Sequence, residues 1–216
     1  MRIICIIPAR GGSKGVPRKN IRRVKGIPLV VHSIKQALAA PSIDAVYVST
    51  DDVGIARVAI MAGAQFVRRP PEISGDEATS ESALRHTLDS VGGADVVVFL
   101  QATSPIRKAG EIERAIDYFL EQDYDSMFSA SPIEGFAWLE RDLVPMYDYQ
   151  NRPRRQDFKN KLIEENGSIY IFKSWVLEKY DNRLGGRVGY WLQDRLAGLQ
   201  VDSYKDLEQI ERIDFT

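Results

Sequence analysis

Short apolar runs alternate with helix-type patterns along the first 121 residues of the chain. The apolar runs are rich in β-branched residues, as is typical of strands buried on both faces of a sheet, and they lie at 3–7, 45–49, 65–67 and 96–100. Apolar residues recur at helical spacing at 28–40, 53–62, 79–91 and 109–121. Strands that alternate with helices form a mostly parallel sheet with helices on both faces. We therefore predict an α/β fold.

The alternation stops after residue 125. A strand is predicted at 127–131, but no helix-length pattern follows it. An insertion of about 35 residues, rich in aromatic and basic side chains, separates it from the next strand at 167–172. Such an insertion is typical of a lid or a dimerisation arm. The last part of the chain predicts strands at 188–193 and 198–202 and a helix at 204–213, with Ser203 as its N-cap.

The charge of the chain is balanced, with 29 Lys and Arg against 30 Asp and Glu. No overall field therefore favours nucleic acid or an anionic membrane, and any basic site must be local. At 216 residues, the chain suits one α/β domain with a full core. The single cysteine, Cys5, precludes an intramolecular disulfide, and no apolar stretch is long enough for a signal peptide or a membrane span. We expect a cytoplasmic protein without nucleic-acid or membrane partners.

The first predicted strand leads into a loop that is rich in glycine and in cations. Pro8 cannot donate a ladder hydrogen bond and is expected to end the strand. Three glycines, Gly11, Gly12 and Gly15, allow the backbone to approach a ligand closely and its N–H groups to converge on an anion. The cations on or just after the loop are Arg10, Lys14, Arg18 and Lys19. The pattern is neither a Walker loop nor a dinucleotide fingerprint, and it favours a polyphosphate site over an ordinary turn.

Three further segments carry candidate ligand groups. The loop at 68–80 follows a strand and is either a ligand loop or a solvated connection. The polar segment at 101–107 follows the most apolar strand and predicts a second ligand-facing loop. Asp202 and Asp206 lie one helical turn apart, and they are either ligands of a divalent cation or a helix cap.

Together these motifs resemble those of the acylneuraminate cytidylyltransferases, which activate sialic-acid-type sugars, including legionaminic and pseudaminic acids. The matching stretches follow the order of the family along nearly the whole chain. They are IPARGGSKG at 7–15 with PRKN at 17–20, VSTD at 48–51, RP at 69–70, LQATSP at 100–105, RPRRQD at 152–157 and ENGSIY at 165–170.

The resemblance implies a Rossmann-like nucleotidyltransferase fold of the GT-A-like type, as a single domain over 1–216 with a small dimerisation arm at roughly 132–168. It implies CTP as a co-substrate, an acidic nine-carbon sugar as the acceptor, and Mg²⁺ or Mn²⁺ as the cofactor. The anomeric hydroxyl of the sugar attacks the α-phosphate, and pyrophosphate leaves. A homodimer is also implied.

The resemblance further implies a role for each matching residue. Triphosphate binding falls to Arg10, Gly11, Gly12, Ser13 and Lys14. Lys19 lies beside the α-phosphate, and Asp202 is the metal ligand, so that Arg10, Lys19 and Asp202 are the expected catalytic residues. Cytidine is bound by Asn20, Arg69 and Ser80, and the sugar by Gln101 and Ser104. Arg154 and Arg155 belong to an arm that reaches the partner's site.

One position departs from the family pattern. Residue 200, usually Asp in the family, is Gln200, whose neutral amide is a weaker ligand for a hard cation than a carboxylate. The sequence leaves open one metal ion or two. Two alternatives remain beside the main hypothesis: a synthetase of the CMP-KDO type or for another sugar, and a CTP-binding module without turnover.

Overall fold

The computed structural model describes residues 1–157 and 162–215. Its strands are β1 (Ile3–Pro8), β2 (Arg23–Val24), β3 (Ile27–Pro28), β4 (Ala45–Thr50), β5 (Gln65–Arg68), β6 (Val96–Leu100), β7 (Ser126–Ile133), β8 (Trp138–Leu139), β9 (Val144–Pro145), β10 (Leu162–Lys173) and β11 (Val188–Leu192). Its α-helices are α1 (Leu29–Leu38), α2 (Val53–Met61), α3 (Ser80–Ser90), α4 (Glu111–Glu121), α5 (Ser174–Tyr180) and α6 (Tyr204–Glu211).

Seven of the described strands form one sheet in the order β11-β7-β10-β6-β1-β4-β5. Neighbouring strands are parallel except along β10, which runs antiparallel to both β6 and β7. The predicted mostly parallel sheet is confirmed. Since the ends of parallel strands meet at one edge, the loops after β1, β4, β5 and β6 lie side by side.

Both faces of the sheet are covered, as predicted. On one face, Cys5 and Ile7 of β1 pack in a cluster with Ile34 of α1 and Phe119 of α4. On the other, Ile6 packs in a cluster with α3 and α5. Period-two alternation along β1 therefore sends successive side chains into two separate cores, which is why an unbroken apolar run is needed there. None of the helices in the described ranges has the length and apolar character of a membrane span.

The helix ends follow local hydrogen-bonding chemistry. The Asp52 carboxylate accepts the N–H of Ile55 and caps α2, and the Thr79 hydroxyl accepts the N–H of Ser82 and caps α3. Ser203 forms a reciprocal capping box with Asp206 at the start of α6. The sequence prediction of Ser203 as an N-cap is confirmed. The carboxylate of Asp206 accepts the N–H of Ser203 and is thus part of the cap.

The C-terminal region differs from the prediction. The strand predicted at 198–202 does not form: Arg195–Gly198 is a 3₁₀ helix, and the chain after it is irregular. Val201 donates one backbone hydrogen bond, 2.8 Å, to the carbonyl of Thr103, and its side chain is buried in a small cluster with Leu29 and Ile210. One hydrogen bond to a loop anchors this segment without a strand ladder.

The predicted arm at 132–168 overlaps the sheet at both of its ends. β7 continues to Ile133 and β10 begins at Leu162, so the described excursion from the sheet comprises 134–157. It contains the short β8–β9 hairpin and a 3₁₀ helix at Arg155–Asp157.

Candidate active site

A cleft of 330 Å³ lies at the edge of the sheet where the loops after β1, β5 and β6 meet. Nine of the residues predicted for the site line it: Arg10, Gly12, Ser13, Lys19, Asn20, Arg69, Ser80, Gln101 and Asp202. Further lining residues include Asp76, Thr79, Phe99, Thr103 and Gln200. The structure thus brings residues from four separate stretches of sequence into one cleft: 8–20, 69–80, 99–103 and 200–202.

The glycine-rich loop is fixed to its neighbours by its backbone. The N–H of Ala9 donates to the Ser49 carbonyl over 2.9 Å, and the N–H of Gly11 donates to Oδ1 of Asp51 over 2.8 Å. A Cβ at Gly15 would collide with the carbonyl oxygen of Asp202. The loop therefore runs too close to the C-terminal segment for any larger residue at position 15.

The cations of this loop are paired with carboxylates. Asp76 contacts both Arg10, over 2.9 Å, and Lys14, over 2.8 Å. Arg10 also donates to the carbonyl of Gly75 over 2.8 Å. The hydrogen bond from Lys14, and secondarily that from Arg10, holds the pKa of Asp76 below its usual range. These ion pairs and this hydrogen bond hold the loop at 68–80 against the first loop.

Lys19 and Asp202 form a second ion pair, 2.9 Å between Nζ and Oδ1. The Lys19 side chain is 14% exposed, whereas that of Asp202 is 70% exposed. The N–H of Asp202 donates to the carboxylate of Asp206, which therefore caps α6 from outside the cleft. Of the two acids considered for a metal, only Asp202 faces the cleft.

The predicted nucleotide side is built from buried polar groups. Arg69 donates to the hydroxyl of Ser49 over 3.1 Å and to its carbonyl over 2.6 Å, and Asn20 donates to the carbonyl of Arg10 over 2.9 Å. Burial lowers the pKa of Arg69, and the nearby Asp51 opposes that shift. Ser80 opens α3 at the same wall. Arg69 and Asn20 have fixed positions because they are hydrogen-bonded to β4 and to the first loop.

On the predicted sugar side, amide groups of three segments meet. Gln101 follows β6, and Gln200 Nε2 donates to the carbonyl of Asn166 over 2.9 Å. Gly167 has φ +73°, and a Cβ there would lie 2.5 Å from Gln200 Nε2 and 3.3 Å from Gln101 Nε2. Asn166 itself is held by hydrogen bonds with Ser129, Ser131 and Gln193. Gln200 therefore holds with its amide the irregular part of β10, where the register with β7 shifts between Glu165 and Tyr170.

The cleft offers limited but suitable chemistry to a divalent cation. No group of three or more His, Cys, Asp or Glu side chains with metal-binding geometry occurs in 1–157 and 162–215. Mg²⁺ commonly binds through one or two carboxylates together with substrate phosphates and water. The exposed carboxylate of Asp202 fits that habit for one ion, and Gln200, whose amide is engaged with Asn166, does not supply a second carboxylate.

Five predicted site residues do not line the cleft. Gly11 and Lys14 lie beside it, bound to Asp51 and Asp76. Ser104 is fully buried, and its hydroxyl has no hydrogen-bond partner among the described residues. Arg154 and Arg155 lie on the excursion from the sheet, where Arg155 lines a separate cavity of 690 Å³ with Phe136, Leu162 and Leu192. Within one chain, these two arginines are not brought to the cleft.

Sequence reasoning missed several lining residues. Asp76 and Thr79 lie in the loop at 68–80, for which the sequence left open a ligand loop or a solvated connection and did not single out the acid. Thr103 belongs to the polar segment after β6. Phe99 is the penultimate residue of that strand, and its ring stacks against that of Tyr170 at 5.3 Å between ring centroids. A polar residue after a strand was a usable signal for Thr103; nothing in the sequence distinguished Phe99 from its buried neighbours.

Comparison with known proteins gives a consistent result. A family model described as cytidylyltransferase matches residues 4–211. N-acylneuraminate cytidylyltransferase A of Danio rerio is 38% identical over 184 residues, which cover 82% of this chain and 43% of that protein. The N-acylneuraminate cytidylyltransferase of Oncorhynchus mykiss is 35% identical over 213 residues, covering 95% of this chain and 48% of that protein. The chain thus spans about half the length of these curated relatives.

A solved structure shares the fold. The structure of CMP:2-keto-3-deoxy-manno-octonic acid synthetase complexed with CTP superposes with a TM-score of 0.75 at 18% sequence identity, covering 98% of this chain and 97% of that chain. The predicted Rossmann-like nucleotidyltransferase architecture is confirmed at the level of the fold.

Proposed function

Because this chain belongs to the cytidylyltransferase family, we propose that it transfers a cytidylyl group from CTP to the anomeric hydroxyl of a sialic-acid-type nine-carbon keto sugar acid. In that reaction the hydroxyl oxygen bonds to the α-phosphorus of CTP, the bond from that phosphorus to the bridging oxygen breaks, and pyrophosphate leaves. The products are the CMP-sugar and pyrophosphate. The relatives named for N-acylneuraminate support the acceptor class.

One observation carries the proposal: a half-buried lysine and the buried side chains of an arginine and an asparagine line a single cleft. Lys19, which pairs with Asp202, lines the cleft together with the buried Asn20 and Arg69. A polyphosphate needs cations, and a base needs fixed hydrogen-bonding groups. The cleft provides both within 330 Å³, a volume in the range of small-ligand sites.

The cations of the first loop suit the triphosphate. Arg10, Gly12 and Ser13 line the cleft, and Lys14 lies beside it, bound to Asp76. The side chain of Lys19 is less exposed than that of Lys14. We assign it to the α-phosphate, where a fixed cation in a partly dry site offsets the negative charge that builds up in the transition state.

Asp202 is the residue that would hold Mg²⁺ or Mn²⁺, together with phosphate oxygens of CTP. A bound divalent cation supplies charge neutralisation of the phosphates and orientation of the leaving group. Lys19 is free to turn from Asp202 to phosphate when the carboxylate binds a cation, because one ion pair is exchanged for two.

Gln101, Thr103 and Gln200 form the wall that we assign to the acceptor. Their amide and hydroxyl groups match the many hydroxyl groups and the carboxylate of a sugar acid. The basic residues Arg154 and Arg155 do not line this cleft, and Arg155 lines a separate cavity on the excursion from the sheet. We propose that they serve the cleft of a second copy in a homodimer, with the excursion as the dimerisation arm.

The test is pyrophosphate release from CTP and Mg²⁺ in the presence of N-acetylneuraminic, legionaminic, pseudaminic or KDO acid. We expect release with one of the first three acids, and loss of at least about 100-fold in kcat for Lys19→Met. Turnover with KDO alone would establish the CMP-KDO-type alternative. CTP binding without release from any acid would instead establish a binding module without turnover.

A further inference from the structure

Arg107 is a buried cation that lies behind the cleft. Its side chain is 4% exposed, and it forms no ion pair with a carboxylate in the described part of the chain. Burial lowers the pKa of Arg107 to about 10, so the guanidinium keeps its charge at neutral pH. A buried charge is costly unless hydrogen bonds compensate it, and apolar packing would serve stability as well. Core stability alone therefore does not explain a buried arginine at this position.

The partners of Arg107 give that reason. One terminal nitrogen, Nη2, donates to the carbonyl of Gln101 over 3.3 Å and to the carbonyl of Ser168 over 2.7 Å. Gln101 is the first residue after β6, and Ser168 lies opposite it on β10, just beyond the last pair Leu100–Ile169 of the β6–β10 ladder. The guanidinium therefore bridges two strands where their own ladder ends.

The other terminal nitrogen anchors the bridge to α1. Nη1 donates to the Ser33 hydroxyl over 3.1 Å and to Oε1 of Gln36 over 2.8 Å. The Gln36 amide in turn donates to the carbonyl of Pro105 over 2.9 Å, on the loop that precedes Arg107. The planar, forked donor set of arginine makes these four contacts at once, which the single ammonium of lysine cannot do.

The bridged peptides support one wall of the cleft. Gln101 lines the cleft directly. Ser168 adjoins Gly167, whose backbone lies close to the side chains of Gln101 and Gln200. A shift between β6 and β10 at this point would change the spacing of those amides. By contrast, the nucleotide side is held by Ser49 and the first loop, which Arg107 does not contact.

We propose that Arg107 is a positioning residue that fixes the spacing of the acceptor-side amides by bridging the main chains of Gln101 and Ser168. The assignment of this wall to the acceptor rests on the proposed function. Arg107 touches neither substrate, and its effect passes through the two carbonyls. The consequence is selective: acceptor turnover depends on the fork of Arg107, while CTP binding does not.

The experiment compares Arg107→Lys with Arg114→Lys. Arg114 is exposed on α4 and also donates to a main-chain carbonyl, that of Ala109. We expect kcat/KM for the sugar acid to fall about tenfold or more in Arg107→Lys, with the Kd for CTP changed less than about twofold, and no change in Arg114→Lys. An Arg107→Lys protein with unchanged acceptor kinetics would overturn the proposal, as would equal losses for both substrates.

Two further measurements cover the other outcomes. If Arg107→Lys does not fold, Gln36→Met removes one anchor and leaves both carbonyl contacts, and a loss of about threefold confined to the acceptor is expected. If the wild-type protein releases no pyrophosphate with any acid, the proposed function fails, and amide hydrogen exchange still tests the bridge. Exchange at 101–104 and 166–169 should rise in Arg107→Lys alone; unchanged exchange there would refute the bridging role.

Discussion

At the scale of single residues, the carboxylate of Asp76 would compete with the phosphates of CTP for cations in the proposed reaction. It contacts Arg10 and Lys14, two of the cations that we assign to the triphosphate. A bound triphosphate must share those cations with Asp76 or displace it. Both Asp76 and Lys14 are well exposed, so their pairing is weak and readily exchanged.

We predict that Asp76→Asn binds CTP about two- to fivefold more tightly than the wild-type protein, because the competing charge is removed at low cost. Titration calorimetry with CTP at low salt measures the effect, and added salt should reduce it. Glu77→Gln is the matched control, since it removes the same charge from the same loop. Weaker CTP binding by Asp76→Asn would show that the carboxylate supports the loop instead.

The individual residues of the site were predictable to the extent that they follow strands. Arg10, Lys19 and Gln101 lie directly after predicted strands or on the loops that leave them, and a parallel sheet brings such loops together. The partners of those side chains were not predictable, since Asp76 reaches Arg10 across 65 intervening positions. Ser104 shows the converse case: it lies in a ligand loop, but the turn directs it into the core.

At the scale of elements, Asp125 joins three strands at the end of the sheet far from the cleft. Its carboxylate accepts from Nζ of Lys173, which ends β10, and from the N–H of Arg187, which precedes β11. Asp125 itself precedes β7. The hydrogen bond from Arg187, then that from Lys173, holds the pKa of Asp125 below its usual value.

We predict that Asp125→Asn lowers Tm at pH 7 by about 2–6 °C. A carboxyl group whose folded pKa is depressed contributes stability above its unfolded pKa, near 3.9, and loses it as the pH falls through the folded pKa. The Tm difference between wild type and variant should therefore shrink below about pH 4. Calorimetric scans from pH 7 to pH 2.5 measure it, with exposed Asp117→Asn as the control. A difference that stays constant with pH would contradict the assignment.

The elements themselves were largely predictable, because strand and helix periods differ and each element of the first 121 residues carries one period clearly. The helix predicted at 28–40 is α1 (Leu29–Leu38), for which Pro28 is the N-cap. The helix predicted at 109–121 is α4 (Glu111–Glu121), for which Gly110 is the N-cap. The strand predicted at 198–202 was wrong because its apolar residues pack against helices and do not pair with the sheet. Val201 packs into a small helix–loop cluster and needs no ladder.

At the scale of the whole molecule, the excursion at 134–157, which we propose as a dimerisation arm, exposes apolar surface in the single chain. Apolar side chains are exposed along the β8–β9 hairpin, at Trp138, Leu139, Leu143 and Val144. Patches of this kind are typical of protein interfaces. The proposed homodimer covers them and brings Arg154 and Arg155 of one copy toward the cleft of the other.

We predict that Lys19→Met and Arg155→Ala, each with little activity alone, recover about one quarter of wild-type activity when mixed at equal amounts. Random exchange makes half of the dimers mixed, and each mixed dimer holds one intact cleft of two. Turnover of the mixture after dissociation and reassociation measures it. A mixture of Lys19→Met with the Lys19→Met, Arg155→Ala double variant is the control. Activity of the first mixture no higher than that of the control would mean that the arm does not complete the partner's cleft.

The antiparallel direction of β10 has a consequence for how such proteins diversify. Because β7 and β10 are adjacent and antiparallel, the arm is topologically the loop of a hairpin, closed at Ile133 and Leu162. Lengthening a flexible loop costs only about 0.6 kcal/mol for each doubling, and it leaves the register of the strands unchanged. The arm can therefore be rebuilt, shortened or extended across related chains while the nucleotide cleft stays constant. In the proposed homodimer, acceptor range and assembly would change at this one junction without a new fold.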